Sequence, residues 1–354
     1  MVFEMSHEVL RLAQCARAKW RIQSDSTGFM GGKVKRIVIT GGSGFIGTNL
    51  IESLFQAGNE VINFDRNSPR NPEHAQFFRQ GDILDGAQLS AVMHDFRPEL
   101  CVHLAARTDL DGATMEDYDA NTIGVKNMIA AARTVGSVRR ILFASSRYVH
   151  RTEVFPKHDE DYSPFTLYGQ SKVDGERIVR SSGLEIPWAI FRPTSIWGPW
   201  FGVPYRTFFD AVRRGVYVHP RGRRILKSYG YIGNVVHQIA QFLSVDTSKI
   251  DKRTFYVSDD QNMDVLEFAQ LIRRTFGAPP VREVPLAVLQ GLAIAGDVLK
   301  RMGVSNPPIT SFRLSNLLTP MGYDLSLTRQ VAGPAPYTLR AGVQSTVEWI
   351  LSHG

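Results

Sequence analysis

Short apolar runs and stretches of helical periodicity alternate along the first half of the chain. The apolar runs lie at residues 35–40, 60–64, 77–80, 100–105 and 139–145. A short apolar run between polar breaks predicts a strand that is buried on both faces. Between the first two runs, Ile46, Leu50 and Leu54 recur at helical spacing. Strands and helices that alternate in this way predict an α/β fold built on a doubly wound parallel sheet.

The second half of the chain has a mixed pattern. Helical periodicity is found at 204–215, 233–245, 263–276 and 340–352, a strand is predicted at 253–257, and proline- and glycine-rich joints lie at 278–280, 307–308 and 333–336. This pattern predicts a smaller mixed lobe over the carboxyl edge of the sheet. We therefore divide the chain into an extension at 1–34, a sheet domain at 35–200 to which strand 253–257 returns, and a C-terminal lobe at 201–354.

Three regularly spaced glycines follow the first predicted strand. Gly41, Gly44 and Gly47 stand at G-x-x-G-x-x-G spacing. The first glycine allows the turn, the second lets the backbone approach a pyrophosphate, and the third lets the helix pack on the strand. The start of that helix offers N–H groups and the positive end of its dipole to the phosphates. A nucleotide-hydrolase loop is excluded, because it needs Gly-Lys-Ser/Thr where this chain has Gly-Thr-Asn.

An acidic residue ends the second predicted strand. Asp65 is placed where a carboxylate accepts both hydroxyls of an adenosine ribose and repels a 2′-phosphate. The pattern therefore predicts a Rossmann-type fold that binds NAD rather than NADP. The predicted cofactor residues are Gly41, Gly44, Phe45, Ile46, Gly47, Asp65, Arg66, Asp82, Ile83, Leu104, Ala105, Ala106, Asn121, Tyr168, Lys172 and Pro193.

A tyrosine and a lysine follow the fifth predicted strand after a polar loop. Tyr168 and Lys172 are four residues apart at the start of a helix, so their side chains share one face. Free tyrosine has a pKa of about 10, and we expect a nearby ammonium and a nicotinamide cation to lower it. With a serine hydroxyl to orient the substrate oxygen, this set removes a proton from an alcohol as hydride leaves its carbon.

Taken in order, these motifs resemble the extended short-chain dehydrogenase/reductase family, the NAD-dependent nucleotide-sugar epimerases and dehydratases. The similar segments run from residue 35 to the C-terminus and read TGGSGFIG, GDI, HLAA, NTIG, SSRYV, YGQSK, RPTSIWGP and YDLSLTR. The resemblance implies that Ser146 is the catalytic serine, Tyr168 the base and Lys172 the ribose-binding lysine. It also implies a homodimer whose interface is formed by helices at 114–135 and 166–182.

The chain departs from the family pattern on the substrate side. Dehydratases of the family place Asp-Glu after the catalytic serine or threonine, and this chain has Arg-Tyr from Arg147, so dehydration is disfavoured. The 4-epimerases commonly carry Asn at Ser195 and Arg-Asp-Tyr where this chain has Lys-Ser-Tyr from Lys227, so the diphosphate contact is expected from Lys227 or Arg313. The predicted substrate residues are Thr108, Ser146, Arg147, Ser195, Lys227 and Arg313.

Composition narrows the class of protein. The formal net charge of +7 at pH 7 favours anionic ligands, but the basic residues are scattered and no nucleic-acid-binding module is found. Two cysteines, Cys15 and Cys101, argue against a disulfide framework or a cysteine-based metal site and suit a reducing cytoplasm. His103 is interpreted as a structural strand-end histidine, because no second ligand stands at metal-binding spacing. No metal is predicted.

Two segments lie outside this scheme. Residues 1–34 lack a secretory signal pattern and form either an amphipathic helix on the surface or a dispensable extension, which we favour. The apolar stretch 284–299 is interrupted by Gln290 and Asp297 and falls short of the roughly 20 apolar residues that a membrane-spanning helix needs. We expect this stretch to cap a pocket or to lie in the core, and attachment to a membrane surface remains a lesser alternative.

The leading functional hypothesis is NAD-dependent epimerisation of a nucleotide-diphospho-sugar, at C4 through a transient 4-keto intermediate, with the C-terminal lobe binding the substrate. The first alternative is an NAD-dependent dehydrogenase or reductase of a sugar or sterol-like alcohol on the same fold. The second is a non-catalytic NAD-binding regulatory protein, against which the intact Ser146, Tyr168 and Lys172 argue. The sequence leaves the sugar and the nucleotide base open.

Overall fold

The computed structural model describes residues 34–151, 156–203, 205–304, 307 and 309–353. Almost all of the predicted extension at 1–34 lies outside the described residues. The centre of the fold is a seven-stranded sheet in the order β11-β6-β5-β4-β1-β2-β3, in which every pair is parallel. Its strands are β1 (Arg36–Thr40), β2 (Glu60–Asp65), β3 (Phe78–Gln80), β4 (Leu100–His103), β5 (Arg140–Ala144), β6 (Trp188–Pro193) and β11 (Arg253–Val257). The predicted doubly wound parallel sheet is confirmed.

Helices cover both faces of this sheet. Among the described residues they are α1 (Phe45–Gln56), α2 (Gly86–Phe96), α3 (Ile123–Val135), α4 (Leu167–Ser181), α5 (Tyr205–Arg213), α6 (Ile232–Ser244), α7 (Val265–Phe276), α8 (Leu286–Arg301), α9 (Ser311–Leu318), α10 (Ser326–Ala332) and α11 (Leu339–His353). Polar side chains start several of them: Asp85 accepts from the N–H groups of residues 87 and 88, and Thr166 accepts from that of Gly169.

Each face of the sheet has its own hydrophobic core. On one face, strand residues such as Val38 and Ile141 pack with Met128 of α3. On the other face, Ile37 and Phe191 pack with helix α6 and with the aromatic side chains of the C-terminal half. Because residues alternate between the two faces of a strand, both sides of each central strand are apolar, and this explains why the strands appear in the sequence as unbroken apolar runs.

The C-terminal lobe is attached by short strand pairs at the carboxyl edge of the main sheet. These strands are β7 (Ser195–Trp197), β8 (Val218–Pro220), β9 (Leu226–Lys227), β10 (Tyr229–Tyr231), β12 (Met263–Asp264) and β13 (Arg282–Val284). They pair β7 with β10, β9 with β12, and β8 with β13. The lobe therefore begins with the segments that follow β6, the strand that ends in Arg192 and Pro193.

Of the two places expected for the apolar stretch 284–299, the core is wrong for much of its length, while the role of a pocket cap stays a prediction. This stretch forms helix α8, which faces inward only through Leu289, Ala293 and Gly296. Its inner face contacts Leu314 of α9 in a small cluster separate from the two main cores, so one side of the helix is left in solvent. In the described part of the chain, no helix is both long and apolar enough to cross a bilayer.

Candidate active site

The strand order places a cleft at the carboxyl edge between β1 and β4. The chain leaves β1 toward β2 on one side and β4 toward β5 on the other, so the edge opens at this switch point. Gly41 turns the chain there with φ of +74°. A Cβ at Gly41 would lie 2.5 Å from the backbone nitrogen of Ala105, and one at Gly47 would lie 2.5 Å from Cα of Gly42. Both glycines are therefore needed for the close packing of turn, helix and neighbouring loop.

The residues of this turn fit the diphosphate and ribose of a dinucleotide. Helix α1 begins after Gly44 with no side chain that accepts from its first N–H groups, and its first turn has no acidic residue, which suits a bound anion. One Asp65 carboxylate oxygen accepts from the backbone N–H of Ser43 and the other from that of Asn67, at 3.0 and 2.9 Å. Each carboxylate oxygen keeps a second acceptor site, so the group is oriented and can still accept from ribose hydroxyls.

The other predicted cofactor residues lie around the same edge. Ile83 is buried against Gly124, where a Cβ would come within 3.0 Å of it. One carboxylate oxygen of Asp82 accepts from the N–H of Leu84 and holds the turn after β3. The remaining members, Phe45, Ile46, Arg66, Leu104, Ala105, Ala106 and Pro193, range from half-buried to exposed at or next to the carboxyl ends of the strands. Their roles in binding stay predictions.

Ser146, Tyr168 and Lys172 are brought together where β5 ends. The Tyr168 hydroxyl and the Ser146 side chain form a hydrogen bond. The Lys172 ammonium donates to the carbonyl oxygen of Ala144 at 3.1 Å. Gly169 allows the start of α4 to pack against the segment after Ser146, because a Cβ at Gly169 would lie 2.4 Å from the carbonyl oxygen of Tyr148. The end of β5, which carries Ser146, is thus brought together with Tyr168 and Lys172 of α4 beside the cleft.

The sequence predicts that the Lys172 ammonium lowers the pKa of Tyr168. This prediction is wrong for the protein's own side chains, considered without the nicotinamide cation. Burial raises the pKa of Tyr168 to about 12, and the hydrogen bond with Ser146 and the charge of Arg147 offset only part of that rise. Burial also lowers the pKa of Lys172 to about 8, against the opposing effect of Glu176. The Lys172 ammonium is directed at Ala144, and burial dominates, so Tyr168 is held as a phenol.

A buried ion pair, which the sequence analysis missed, supports this centre. Glu176 accepts from Arg192 at 2.8 and 2.7 Å, from the Ser145 hydroxyl at 2.5 Å and from the Tyr162 hydroxyl at 2.9 Å. Burial would raise the pKa of Glu176, but the hydrogen bonds outweigh it and keep the pKa below its usual range. The pair joins α4 to β6 and fixes the serine next to Ser146. Its signal in the sequence is that Glu176 continues the four-residue spacing of Tyr168 and Lys172.

The side chain of Asn121 links two parts of the site through hydrogen bonds. Its side-chain oxygen accepts from the N–H of Arg107, and its amide nitrogen donates to the Arg107 carbonyl and to the Ser171 hydroxyl. The Ser171 hydroxyl in turn donates to the Tyr168 carbonyl at 2.7 Å. The loop after β4 is thereby tied to the turn of α4 that carries Tyr168. Contact of Asn121 with the cofactor stays a prediction.

Cations and phenols surround the side of the site where the substrate is expected. Arg147 is buried directly after Ser146, with its guanidinium 4.3 Å from the ring centre of Tyr148 and hydrogen-bonded to Tyr323. Burial, with the nearby charge of Arg147, lowers the pKa of Lys227 to about 8. Two cationic side chains therefore lie close enough to repel each other, and an anionic ligand would stabilise both.

The other predicted substrate residues are placed unevenly. Lys227 is buried, and its ammonium donates to the carbonyl oxygens of Asn316 and Thr319 at the end of α9, so part of its hydrogen-bonding capacity is used within the lobe. Ser195 is buried and bonds to the Tyr205 hydroxyl. Thr108 is exposed, and so is Arg313, which donates to the carbonyl of Pro307 at 2.6 Å. Substrate contact stays a prediction for all of them.

The described residues hold no cluster of three or more side chains that could bind a metal ion. His103 is buried, and its ring nitrogen Nδ1 lies 2.8 Å from the Thr40 hydroxyl. Burial and the nearby Lys172 lower its pKa to about 3, so the imidazole is neutral. Lys172 lies near the end of β4 because its ammonium donates to Ala144, the last residue of β5, and β5 is the strand next to β4.

Comparison with known proteins identifies the family of this chain and several relatives. The model that matches residues 37–220 is described as the NAD dependent epimerase/dehydratase family. A similar relative is the N-acetyl-alpha-D-glucosaminyl-diphospho-ditrans,octacis-undecaprenol 4-epimerase of Escherichia coli, which is 26% identical over 325 residues, 90% of this chain and 96% of its own length. The 3-beta-hydroxysteroid dehydrogenase of Mycolicibacterium neoaurum is 29% identical over 253 residues, 66% of this chain and 68% of its own length.

Solved structures share the fold. The UDP-glucose 4-epimerase of Thermus thermophilus in complex with NAD matches with a TM-score of 0.67 and 20% identity, over 90% of this chain and all of that one. At this identity the likeness concerns the fold.

Proposed function

The chain belongs to the NAD dependent epimerase/dehydratase family, and from this premise we propose that it inverts C4 of a nucleotide-diphospho-sugar through a transient 4-keto intermediate. The observation that carries the proposal is the convergence of Ser146, Tyr168 and Lys172 beside the glycine turn. The name of the Escherichia coli relative, a 4-epimerase of a diphospho-linked sugar, supports the choice of C4. The cofactor of the family is NAD.

In the proposed reaction each side chain has one task. NAD, when bound, supplies an acceptor for the hydride that leaves C4 of the sugar. It also supplies a positive charge on the nicotinamide, which favours the Tyr168 phenolate. The Tyr168 oxygen then takes the proton of the 4-hydroxyl and later returns it to the ketone oxygen. Ser146 donates to the same sugar oxygen and holds it in place. Lys172 holds the nicotinamide ribose, while Arg147 and Lys227 attract the diphosphate.

The residues beside Ser146 favour epimerisation over elimination of water. Elimination needs an acid and a base next to the sugar, and the positions after Ser146 hold Arg147 and Tyr148. Epimerisation at C4 needs only the single proton relay through Tyr168, because the ketone can rotate and accept the hydride on its other face.

The test follows the products of the purified protein with NAD and a UDP-hexose panel in deuterated water. Formation of the 4-epimer without net NADH and without deuterium in the sugar is the expected result. Stoichiometric release of NADH would contradict the proposal and identify a dehydrogenase. Deuterium on the carbons next to C4 would instead indicate epimerisation at C3 or C5, with deprotonation of carbon.

A dehydrogenase acting on a sterol-like alcohol is the second candidate. The similarity to a 3-beta-hydroxysteroid dehydrogenase and the apolar surface of α8 favour it. The two functions differ in what happens to the cofactor, since an epimerase retains it through the cycle and a dehydrogenase must exchange it. We further infer a cytoplasmic location, a homodimer, and the division into a cofactor domain at 35–200, with strand 253–257, and a substrate lobe at 201–354.

A further inference from the structure

Exposed apolar side chains are concentrated on one part of the C-terminal lobe. Of the eighteen large apolar side chains that are exposed among the described residues, eight lie between Val288 and Phe312. Three of them, Ile294, Met302 and Phe312, are 63%, 75% and 62% exposed. We call helices α8 and α9 the apolar helix pair. A concentration of exposed apolar side chains marks a binding site more often than isolated exposed residues do.

Packing within the protein does not explain this surface. The apolar helix pair is held together by its inner face, where Leu289 and Ala293 meet Leu314. Gly296 lets the helix approach the chain closely, because a Cβ there would lie 1.8 Å from the carbonyl oxygen of Ile309. The outward residues of α8, such as Leu292, make no contribution to either main core.

Positive charge lies at both ends of the apolar surface. The exposed residues Lys300 and Arg301 end α8. At its other end, the N–H of Arg221 donates to the carbonyl of Val284 at 2.8 Å, so the exposed basic loop 221–224 lies beside the start of α8. The acidic residue of α8, Asp297, accepts from the N–H of Ser311 at 3.1 Å and lies near Arg301 and Lys300, so it offsets one of these two positive charges.

The apolar helix pair adjoins the substrate side of the active site. The Lys227 ammonium donates to the carbonyls of Asn316 and Thr319, at the end of α9. A groove of about 590 Å³ runs between the two helices and is lined by residues that include Ile294, Leu318 and Thr319. One wall of this groove is thus bonded to Lys227, whose pKa is lowered by burial and by the charge of Arg147.

We propose that the apolar helix pair docks on the surface of an anionic lipid bilayer. Apolar side chains flanked by basic residues suit the boundary between head groups and acyl chains, and basic residues near an anionic surface strengthen the binding. A second copy of the chain is a poorer occupant, because a two-fold interface would place the basic ends of two pairs against each other.

The test is sedimentation of the purified chain with vesicles of phosphatidylcholine alone and of phosphatidylcholine mixed with equal phosphatidylglycerol. Wild type is expected to sediment with the mixed vesicles and much less with the neutral ones. The double variant Leu292→Glu/Ile294→Glu should bind the mixed vesicles at least tenfold more weakly. Leu351→Glu is the matched control, since Leu351 is 57% exposed on α11, and it should bind as wild type does.

We expect all variants to fold, because every changed side chain is exposed. Their melting temperatures check this. Turnover of a soluble UDP-sugar should be the same in the double variant and in wild type, so loss of docking and failure of the proposed reaction are seen separately. The proposal would be overturned if wild type failed to sediment with the mixed vesicles. It would also be overturned if the double variant bound them as strongly as wild type. Conversion of a dimer to a monomer by the double variant, without vesicle binding by wild type, would assign the surface to a second copy instead.

Discussion

At the scale of single residues, the proposed base can be tested without disturbing the fold. Tyr168→Phe removes only the hydroxyl that bonds to Ser146. We expect turnover to fall by roughly 10²- to 10⁴-fold, the usual contribution of a positioned acid or base, while NAD affinity and melting temperature change little. Steady-state kinetics and a cofactor titration measure the two effects. Turnover close to that of wild type would mean that another group takes the proton.

The Glu176–Arg192 pair is expected to matter for stability. Glu176→Gln leaves a fully buried guanidinium without its carboxylate, and breaking such a pair costs about 3 to 5 kcal/mol. Denaturant unfolding should show a loss of this size. Asp174→Asn on the same helix is the control, because its 3.6 Å contact with Arg177 is largely exposed and such pairs contribute at most about 1 kcal/mol. Equal losses in the two variants would contradict the assignment.

Asp259 gives a prediction about pH. Burial raises the pKa of this carboxyl from 3.8 to about 6, although Asn234 and the N–H of Tyr231 donate to it. A pKa that is higher in the folded state means that stability is fully present below pH 3.8 and is lost as the pH rises through 6. The loss is about 3 kcal/mol at most, at 1.36 kcal/mol for each pKa unit.

Asn at this position can accept the same two hydrogen bonds and carries no charge. Asp259→Asn should therefore be more stable than wild type at pH 8, by about 1 to 3 kcal/mol, and the advantage should disappear near pH 4. Unfolding by urea at both pH values measures the difference. An advantage that does not depend on pH would show that the ionisation of Asp259 is not its cause.

At the scale of elements, the contact between the glycine turn and α1 decides whether the cofactor can bind. An added Cβ at Gly47 would lie 2.6 Å from the carbonyl oxygen of Gly41, so Gly47→Ala must push α1 away from the turn. We expect NAD affinity to fall at least tenfold, measured by calorimetric titration. Gly291→Ala is the matched control, because no atom lies within 4 Å of a Cβ there and alanine stabilises a helix by up to about 1 kcal/mol. Normal NAD binding by Gly47→Ala would refute this role.

At the scale of the whole molecule, we predict a homodimer through α3 and α4, which pack side by side. The exposed residues Ile123, Phe165 and Leu167 lie at or near the starts of these helices and would be covered in the dimer. Light scattering should give twice the chain mass of 39.6 kDa at micromolar concentration, and Ile123→Glu should shift it toward the monomer. A monomeric wild type would disprove the prediction. This surface shares no residue with the apolar helix pair, so the two tests are separate.

The sequence by itself determined the features that depend on local spacing. Glycines three residues apart, apolar runs between polar breaks, and a tyrosine four residues before a lysine each specify local backbone or face geometry. The predicted strand 253–257 has the same bounds as β11, because its apolar residues are buried on both sides. Asp65 also lies where the pattern places it, at the end of β2.

Only the tertiary structure decided which distant groups became partners. Glu176 and Arg192 are paired because α4 packs over β6, and Lys227 is bound to α9 because the chain returns there after about ninety residues. The burial that sets the pKa values of Tyr168 and Lys172 also comes from surrounding elements. The apolar stretch 284–299 has a core-like composition, yet α8 has a neighbour on one side only. Composition records how apolar a helix is, and the packing of the other elements determines which of its faces are covered.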